Sequence, residues 1–212
     1  EASMFRRSLG LMLASASLAF AAEDLQIGIV LSAPPSTPGA VLRELKKETG
    51  RVFSLPNVQL VWKKLDELSV GESYDRVVVM RLKGSCSGQP VRAGTRHNSL
   101  GLTHISDGQV LPFIEIDCTR VQEVLDPGWL AIAPGLLGRA LAMVAIHELH
   151  HVLTASQVHD PEGVTKASFS RQDLCLSSLT LGEDALQRLK KSLRLSVLES
   201  RTSGDQRPHA EE

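Results

Sequence analysis

The chain has 212 residues, of which 42% are hydrophobic and 22% charged, and its formal net charge is −1. These values are ordinary for one globular domain with a substantial core. The balanced charge gives no reason to expect binding to nucleic acid or to an acidic membrane surface, and eight aromatic residues (five Phe, two Trp, one Tyr) argue against a stacking platform for bases.

The first residues have the order of a secretory signal peptide. A basic segment at residues 4–7 precedes an apolar stretch at residues 9–20, and Ala19-Phe20-Ala21 supplies the small residues of a cleavage site. The apolar stretch is too short for a comfortable membrane span. We therefore expect residues 1–21 to be removed near Ala21-Ala22. The mature chain is then secreted or periplasmic, without stable membrane insertion.

Strand patterns occupy the first half of the remaining chain. Runs rich in β-branched and other apolar residues predict strands at residues 24–31, 58–62, 75–82 and 111–118, with a short edge strand at residues 102–106. Between the first two strands, apolar residues recur at helical spacing up to Val52-Phe53.

Helical patterns dominate the second half. After a turn at Asp126-Pro127-Gly128, an apolar run from residue 136 predicts a buried helix. A short helix is predicted to begin near residue 171, and residues 182–198 have the pattern of an amphipathic helix. This order predicts one α+β domain over residues 22–198, with a mixed β-sheet, a central helix and a C-terminal helix. Residues 199–212 are polar and predicted to be disordered.

Three cysteines remain after the predicted cleavage. In an oxidising compartment one pair can close, and Cys86 with Cys118 is the preferred pair because each follows or ends a predicted strand. The alternative is that these two and Cys175 are all buried thiols.

The segment that carries chemistry lies on the predicted central helix. Residues 147–151 read His-Glu-Leu-His-His, which matches H-E-x-x-H. Residues four apart share one face of a helix, so His147 and His151 can bind one metal ion while Glu148 acts on water. His150 is expected either behind these ligands or facing solvent.

The third protein ligand of such a site has three candidates. His159 lies 12 residues after His147, just past the predicted helix end. Glu183 on the later helix would be the ligand in a glutamate-type zincin, and Asp160 is a third choice.

Residues 147–174 resemble a group of exported bacterial metallopeptidases of metzincin type. In that group H-E-x-x-H precedes a third His, a Gly before a Met-containing turn, and a downstream aromatic residue. The resemblance implies a zincin or metzincin-like fold, a Zn²⁺ cofactor and a peptide or protein substrate. It implies that His147, His151 and His159 are the metal ligands and that Glu148 is the general base. Gly163 matches the glycine before the turn, and Phe169 matches the downstream aromatic residue.

The sequence departs from the metzincin patterns at four points. His150 stands where a Gly is usual within the motif. Ala155 stands where a glycine usually closes the helix, and Thr165 stands where the Met of the turn is expected. The third His comes two residues later than in the commoner form of the motif, in which it would fall at Gln157. The resemblance implies that this Met packs beneath the zinc site without binding the metal. We therefore expect its loss to affect the precision and stability of the site more than its chemistry.

These observations lead to one functional hypothesis with two alternatives. The hypothesis is zinc-dependent peptide-bond hydrolysis by a metal-activated water, with Glu148 as general base and the substrate paired to the edge strand at residues 102–106. One alternative is an exported zinc-binding or interaction protein without turnover. The other is a glutamate-type zincin that uses Glu183.

Overall fold

The computed structural model describes residues 24–90, 99–126, 131–175 and 179–204. The predicted signal peptide and two of the three predicted turn residues, Pro127 and Gly128, lie outside this part. A turn of 3-10 helix lies at Leu65–Glu67. The elements, in chain order, are β1 Leu25–Ser32, α1 Gly39–Val52, β2 Val58–Lys63, β3 Arg76–Lys83, β4 Gly101–Ser106, β5 Gln109–Asp117, α2 Cys118–Leu125, α3 Pro134–Thr154, α4 Arg171–Cys175 and α5 Glu183–Gly204.

The strands form one mixed sheet in the order β2-β1-β3-β5-β4. β1, β2, β3 and β5 run parallel, whereas β4 pairs antiparallel with β5. A two-residue turn joins β4 to β5, and both of its residues, Asp107 and Gly108, have positive φ angles of 51° and 76°. Such turns match the twist of a hairpin. The result confirms the predicted mixed sheet and places β4 at its edge, as expected.

Helix α3 is the centre of the fold. It is buried on nearly all sides from Leu137 to Leu153, because α1, α5 and the sheet surround it. Gly138 lets α1 and α3 cross closely, since a Cβ there would lie 2.6 Å from the Val41 carbonyl oxygen and 2.7 Å from Glu44 Cβ. Among the described residues, no helix is long and apolar enough to cross a membrane.

Two predicted boundaries differ from the structure. β5 ends at Asp117, and the chain turns at once into α2, a helix that the strand pattern did not reveal. The Asp117 carboxylate caps α2 by accepting a hydrogen bond from the backbone N–H of Arg120 at 3.1 Å. α5 continues past Leu198 to Gly204, because no Pro or Gly interrupts it earlier. The rest of the predicted polar tail lies beyond the described residues.

A disulfide joins Cys86 and Cys118, with their Cα atoms 5.0 Å apart. It ties the segment after β3 to the first residue of α2. This confirms the preferred pairing. The alternative of three buried thiols is wrong, because Cys175 is free and exposed.

Candidate metal centre

The two histidines of the H-E-x-x-H motif face each other near the end of α3. Their Nε2 atoms lie 3.0 Å apart. Each ring is fixed from behind: the Nδ1–H of His147 donates to the Val164 carbonyl at 3.0 Å, and that of His151 donates to the Ser156 carbonyl at 2.7 Å. Such bonds place the ring proton on Nδ1 and leave the Nε2 lone pair available.

The donor set of these two rings fits a metal cation. Burial lowers the pKa of His147 to about 4 and also lowers the pKa of His151, so both rings are neutral at pH 7. Two unprotonated nitrogens 3.0 Å apart repel each other. A cation between them removes this repulsion, and two nitrogen ligands on tetrahedral Zn²⁺ are about 3.3 Å apart.

His159 completes a group of three histidines. Its ring centroid is 5.1 Å from that of His147 and 4.9 Å from that of His151. One ring nitrogen from each of the three lies within 4.8 Å of the others, so the group could hold a metal ion. Two of the rings are buried and His159 is exposed, which leaves one side of the group open to solvent.

α3 ends at Thr154, and the next residue, Ala155, caps the helix and turns the chain towards His159. This residue adopts the left-handed conformation, with φ of 48°, that a glycine would adopt at lower cost. The backbone N–H of Ser156 then donates to the His151 carbonyl at 3.1 Å. The helix therefore ends as the glycine-containing pattern would, although alanine occupies the position.

The other candidate ligands lie elsewhere. The Glu183 carboxylate is exposed and accepts a hydrogen bond from the Gln187 side-chain amide at 2.7 Å. Asp160 binds Thr165 and Arg188. In the part of the chain that the structure describes, neither acid belongs to the three-histidine group.

Glu148 lies beside the histidines and is 6% exposed. Its Oε2 atom accepts a hydrogen bond from the Thr103 hydroxyl at 2.6 Å. Burial raises the pKa of Glu148 to about 7, against the opposing effect of the hydrogen bonds from Thr103. A carboxylate with this pKa can both accept and release a proton near neutral pH.

Gly101 allows β4 to lie against the helix at this point. A Cβ on residue 101 would lie 2.6 Å from Glu148 Oε1 and 2.7 Å from Val144 Cγ1. Glycine therefore lets Thr103, two residues along the same strand, reach Glu148. Neither Gly101 nor Thr103 stands out in the sequence, because nothing local distinguishes them from other strand residues.

A cleft of about 390 Å³ opens over the histidines and Glu148. β4 forms one side, α2 contributes Arg120 and Val124, and residues 167–169 close the other end. Because β4 is an edge strand, its outer backbone groups face away from β5. Gln157, where the commoner motif has its third His, also lines this cleft.

The segment after His159 also supports the site. Phe169 packs edge-on against His147, with ring centroids 5.7 Å apart. Gly163 has a φ of 76°, and a Cβ there would lie 3.0 Å from the Thr180 carbonyl oxygen. Thr165, at the position expected for Met, is 1% exposed.

His150 does not face solvent, which corrects one of the two expected placements. It is completely buried, and its Nε2 atom is 3.2 Å from the Ala185 carbonyl of α5. Burial lowers its pKa to about 4, so it is neutral at pH 7. Its role in the described structure is to join α3 to α5.

No protein-family model and no curated protein matches the sequence. The fold is similar to that of several solved structures, including the two that follow. Archaemetzincin from Methanopyrus kandleri has 15% identity and a TM-score of 0.49, over 80% of this chain and 96% of that one. A zinc-dependent peptidase from Methanocorpusculum labreanum has 9% identity and a TM-score of 0.50, over 77% of this chain and 99% of that one. At 9% identity, the similarity to the peptidase from Methanocorpusculum labreanum concerns the fold alone. It confirms the predicted α+β class.

Proposed function

We propose that this chain is a zinc-dependent peptidase. The observation that carries the proposal is the convergence of three histidines and Glu148 on one side of a cleft that an edge strand borders. The likeness in fold to a zinc-dependent peptidase supports it. The hydrogen bonds that fix the rings of His147 and His151 support it as well, since they prepare two nitrogen atoms to bind a cation.

In this proposal His147, His151 and His159 hold Zn²⁺. When bound, zinc supplies Lewis-acid chemistry that polarises a carbonyl group and makes water reactive near neutral pH. Three neutral ligands leave the full double charge of the ion for this purpose.

Glu148 is the proposed general base. The Thr103 hydroxyl holds its Oε2 atom, which leaves Oε1 to accept a proton from the attacking water. The same carboxyl group then gives the proton to the departing amine. Its raised pKa, about 7, suits a group that must be deprotonated before attack and protonated after it.

The proposed substrate is a peptide or protein in extended conformation. The outer edge of β4 offers backbone N–H and C=O groups beside the cleft, and an added strand can pair with them. Leu102 and Ile105 on this strand are nearly half exposed, at 46% and 45%, and both border the cleft. They would contact apolar side chains of the substrate.

We propose that the mature chain acts outside the cytoplasm. The signal-peptide pattern of residues 1–21 supports this, and so does the disulfide between Cys86 and Cys118, since disulfides persist in oxidising compartments.

The test combines zinc content with proteolysis of the purified mature chain. The wild type is expected to bind one equivalent of zinc and to cleave a peptide library. Glu148→Gln should retain zinc and lose activity by roughly 10²- to 10⁴-fold, whereas His159→Ala, which keeps two of the three ligands, should bind zinc much more weakly. Glu183→Gln is the matched control, expected to retain both properties. If it releases zinc instead, the glutamate-type alternative is correct.

A second candidate is a zinc-binding protein without turnover. The replacement of the turn Met by Thr165 favours it, because the resemblance places that Met beneath the metal. This candidate predicts normal zinc content with no cleavage in either the wild type or Glu148→Gln.

A further inference from the structure

His159 differs from the other two proposed ligands in how it is held. Carbonyl groups bind the rings of His147 and His151, but among the described residues we find no hydrogen bond to the ring of His159. It follows a stretch of exposed chain in which Val158 is 54% exposed. The position of this ring therefore depends on what holds the backbone next to it.

The next residue, Asp160, is held at three points. Its backbone N–H donates to the Thr165 carbonyl at 3.1 Å. Its Oδ2 atom accepts hydrogen bonds from the Thr165 hydroxyl at 2.5 Å and from the Arg188 guanidinium at 2.6 Å. We call Asp160, Thr165 and Arg188 the Asp160 clamp.

The Asp160 clamp is shielded from water, which strengthens its charged contacts. Thr165 is 1% exposed, and the side chains of Asp160 and Arg188 are 11% and 29% exposed. Arg188 belongs to α5, so the clamp fastens the loop after His159 to a separate helix.

Thr165 of the Asp160 clamp also lies next to the residue that holds the ring of His147. Thr165 follows Val164, whose carbonyl accepts the Nδ1–H of His147 and whose N–H donates to the Thr180 carbonyl at 3.1 Å. One short segment thus holds the backbone beside His159 at one end and the ring of His147 at the other.

From these contacts we propose that Asp160, Thr165 and Arg188 are positioning residues that set His159 at bonding distance from the metal. The inference rests on the proposed zinc site. It gives Thr165 a function of its own: where the family pattern has a Met that packs beneath the metal, this chain has a hydroxyl that fixes the neighbour of the third ligand.

The experiment measures the zinc dissociation constant by competition with a chromophoric chelator. Arg188→Gln and Thr165→Val each remove one contact of the Asp160 clamp with little change in volume. Both are expected to weaken zinc binding by about tenfold, the effect usual for groups that orient a ligand. Thr165→Ser keeps the hydroxyl and should restore the affinity. Arg194→Gln removes an exposed arginine of the same helix and should leave the affinity unchanged.

A double-mutant cycle with His159→Ala separates positioning from general destabilisation. If the Asp160 clamp acts through His159, Arg188→Gln and Thr165→Val change the weaker zinc binding of His159→Ala by less than about twofold. Equal weakening in both backgrounds, or wild-type affinity in both single variants, overturns the inference while the zinc site stands. A wild-type chain that binds no zinc overturns the proposed function and this inference together.

Discussion

Replacing Gly101 with alanine tests whether the close approach of β4 to α3 sets the position of Glu148. The new Cβ would lie 2.7 Å from Val144 Cγ1 and 2.6 Å from Glu148 Oε1. Since carbon atoms at optimal contact are about 3.5 Å apart, Val144 or the strand must move by roughly 0.8 Å. Val144 is β-branched and helical, so its side chain has almost no other rotamer. The Glu148 carboxylate and the strand must therefore yield.

We expect Gly101→Ala to reduce both the stability of the protein and its activity. Overpacking of this kind reduces the free energy of unfolding by about 1 to 3 kcal/mol. Displacement of a catalytic group by about 1 Å lowers kcat/KM by roughly 10²-fold. Zinc affinity should stay close to that of the wild type, because carbonyls of Val164 and Ser156, outside β4, hold the histidine rings. Urea unfolding, peptide cleavage and chelator competition measure the three quantities.

Gly135→Ala is the matched control. It lies in the first turn of α3, and a Cβ there would meet nothing within 4 Å. This change should raise stability by up to about 1 kcal/mol and leave kcat/KM unchanged. If Gly101→Ala also cleaves peptides at the wild-type rate, the contact between β4 and α3 does not position Glu148, and the reasoning is refuted.

Three further predictions concern other contacts. Thr103→Val should lower kcat by about tenfold without changing KM or zinc content, because the Oε2 atom of Glu148 loses its hydrogen bond from the Thr103 hydroxyl. Thr103→Ser should restore kcat, and an unchanged kcat in Thr103→Val contradicts the prediction. Reduction of the Cys86–Cys118 disulfide, which spans 32 residues, should lower the free energy of unfolding by about 3 to 4 kcal/mol in urea titrations. In the metal-free protein, burial lowers the pKa of His150 to about 4, so between about pH 6.5 and 4 the unfolded chain binds the proton preferentially. The free energy of unfolding, relative to that of His150→Gln, should therefore decrease as the pH decreases, by up to about 1.4 kcal/mol per pH unit. A difference that stays constant from pH 7 to 5 would contradict this.

The local sequence pattern was sufficient to predict those helices and strands whose determining residues lie close together in the chain. Helical spacing put His147, Glu148 and His151 on one helix, and α3 is indeed buried on nearly all sides. Runs rich in β-branched and other apolar residues likewise indicated the strands of the sheet, including β4 at its edge. α2 was missed because it is short and begins directly after β5, where the strand pattern concealed the change.

The order of the strands and the surroundings of the site depend on contacts between distant residues. Thr103 and Glu148 are 45 positions apart, and Val164 is 17 positions from His147. Such contacts leave no periodic trace, because each partner is an ordinary residue in its own segment. The sequence by itself indicated which histidines could bind a metal ion and which carboxylate lies beside them, since that follows from residue type and from spacing along the chain. Only the tertiary structure decided how those residues are oriented, because orientation depends on the carbonyls, the hydroxyl and the guanidinium that packing brings beside them.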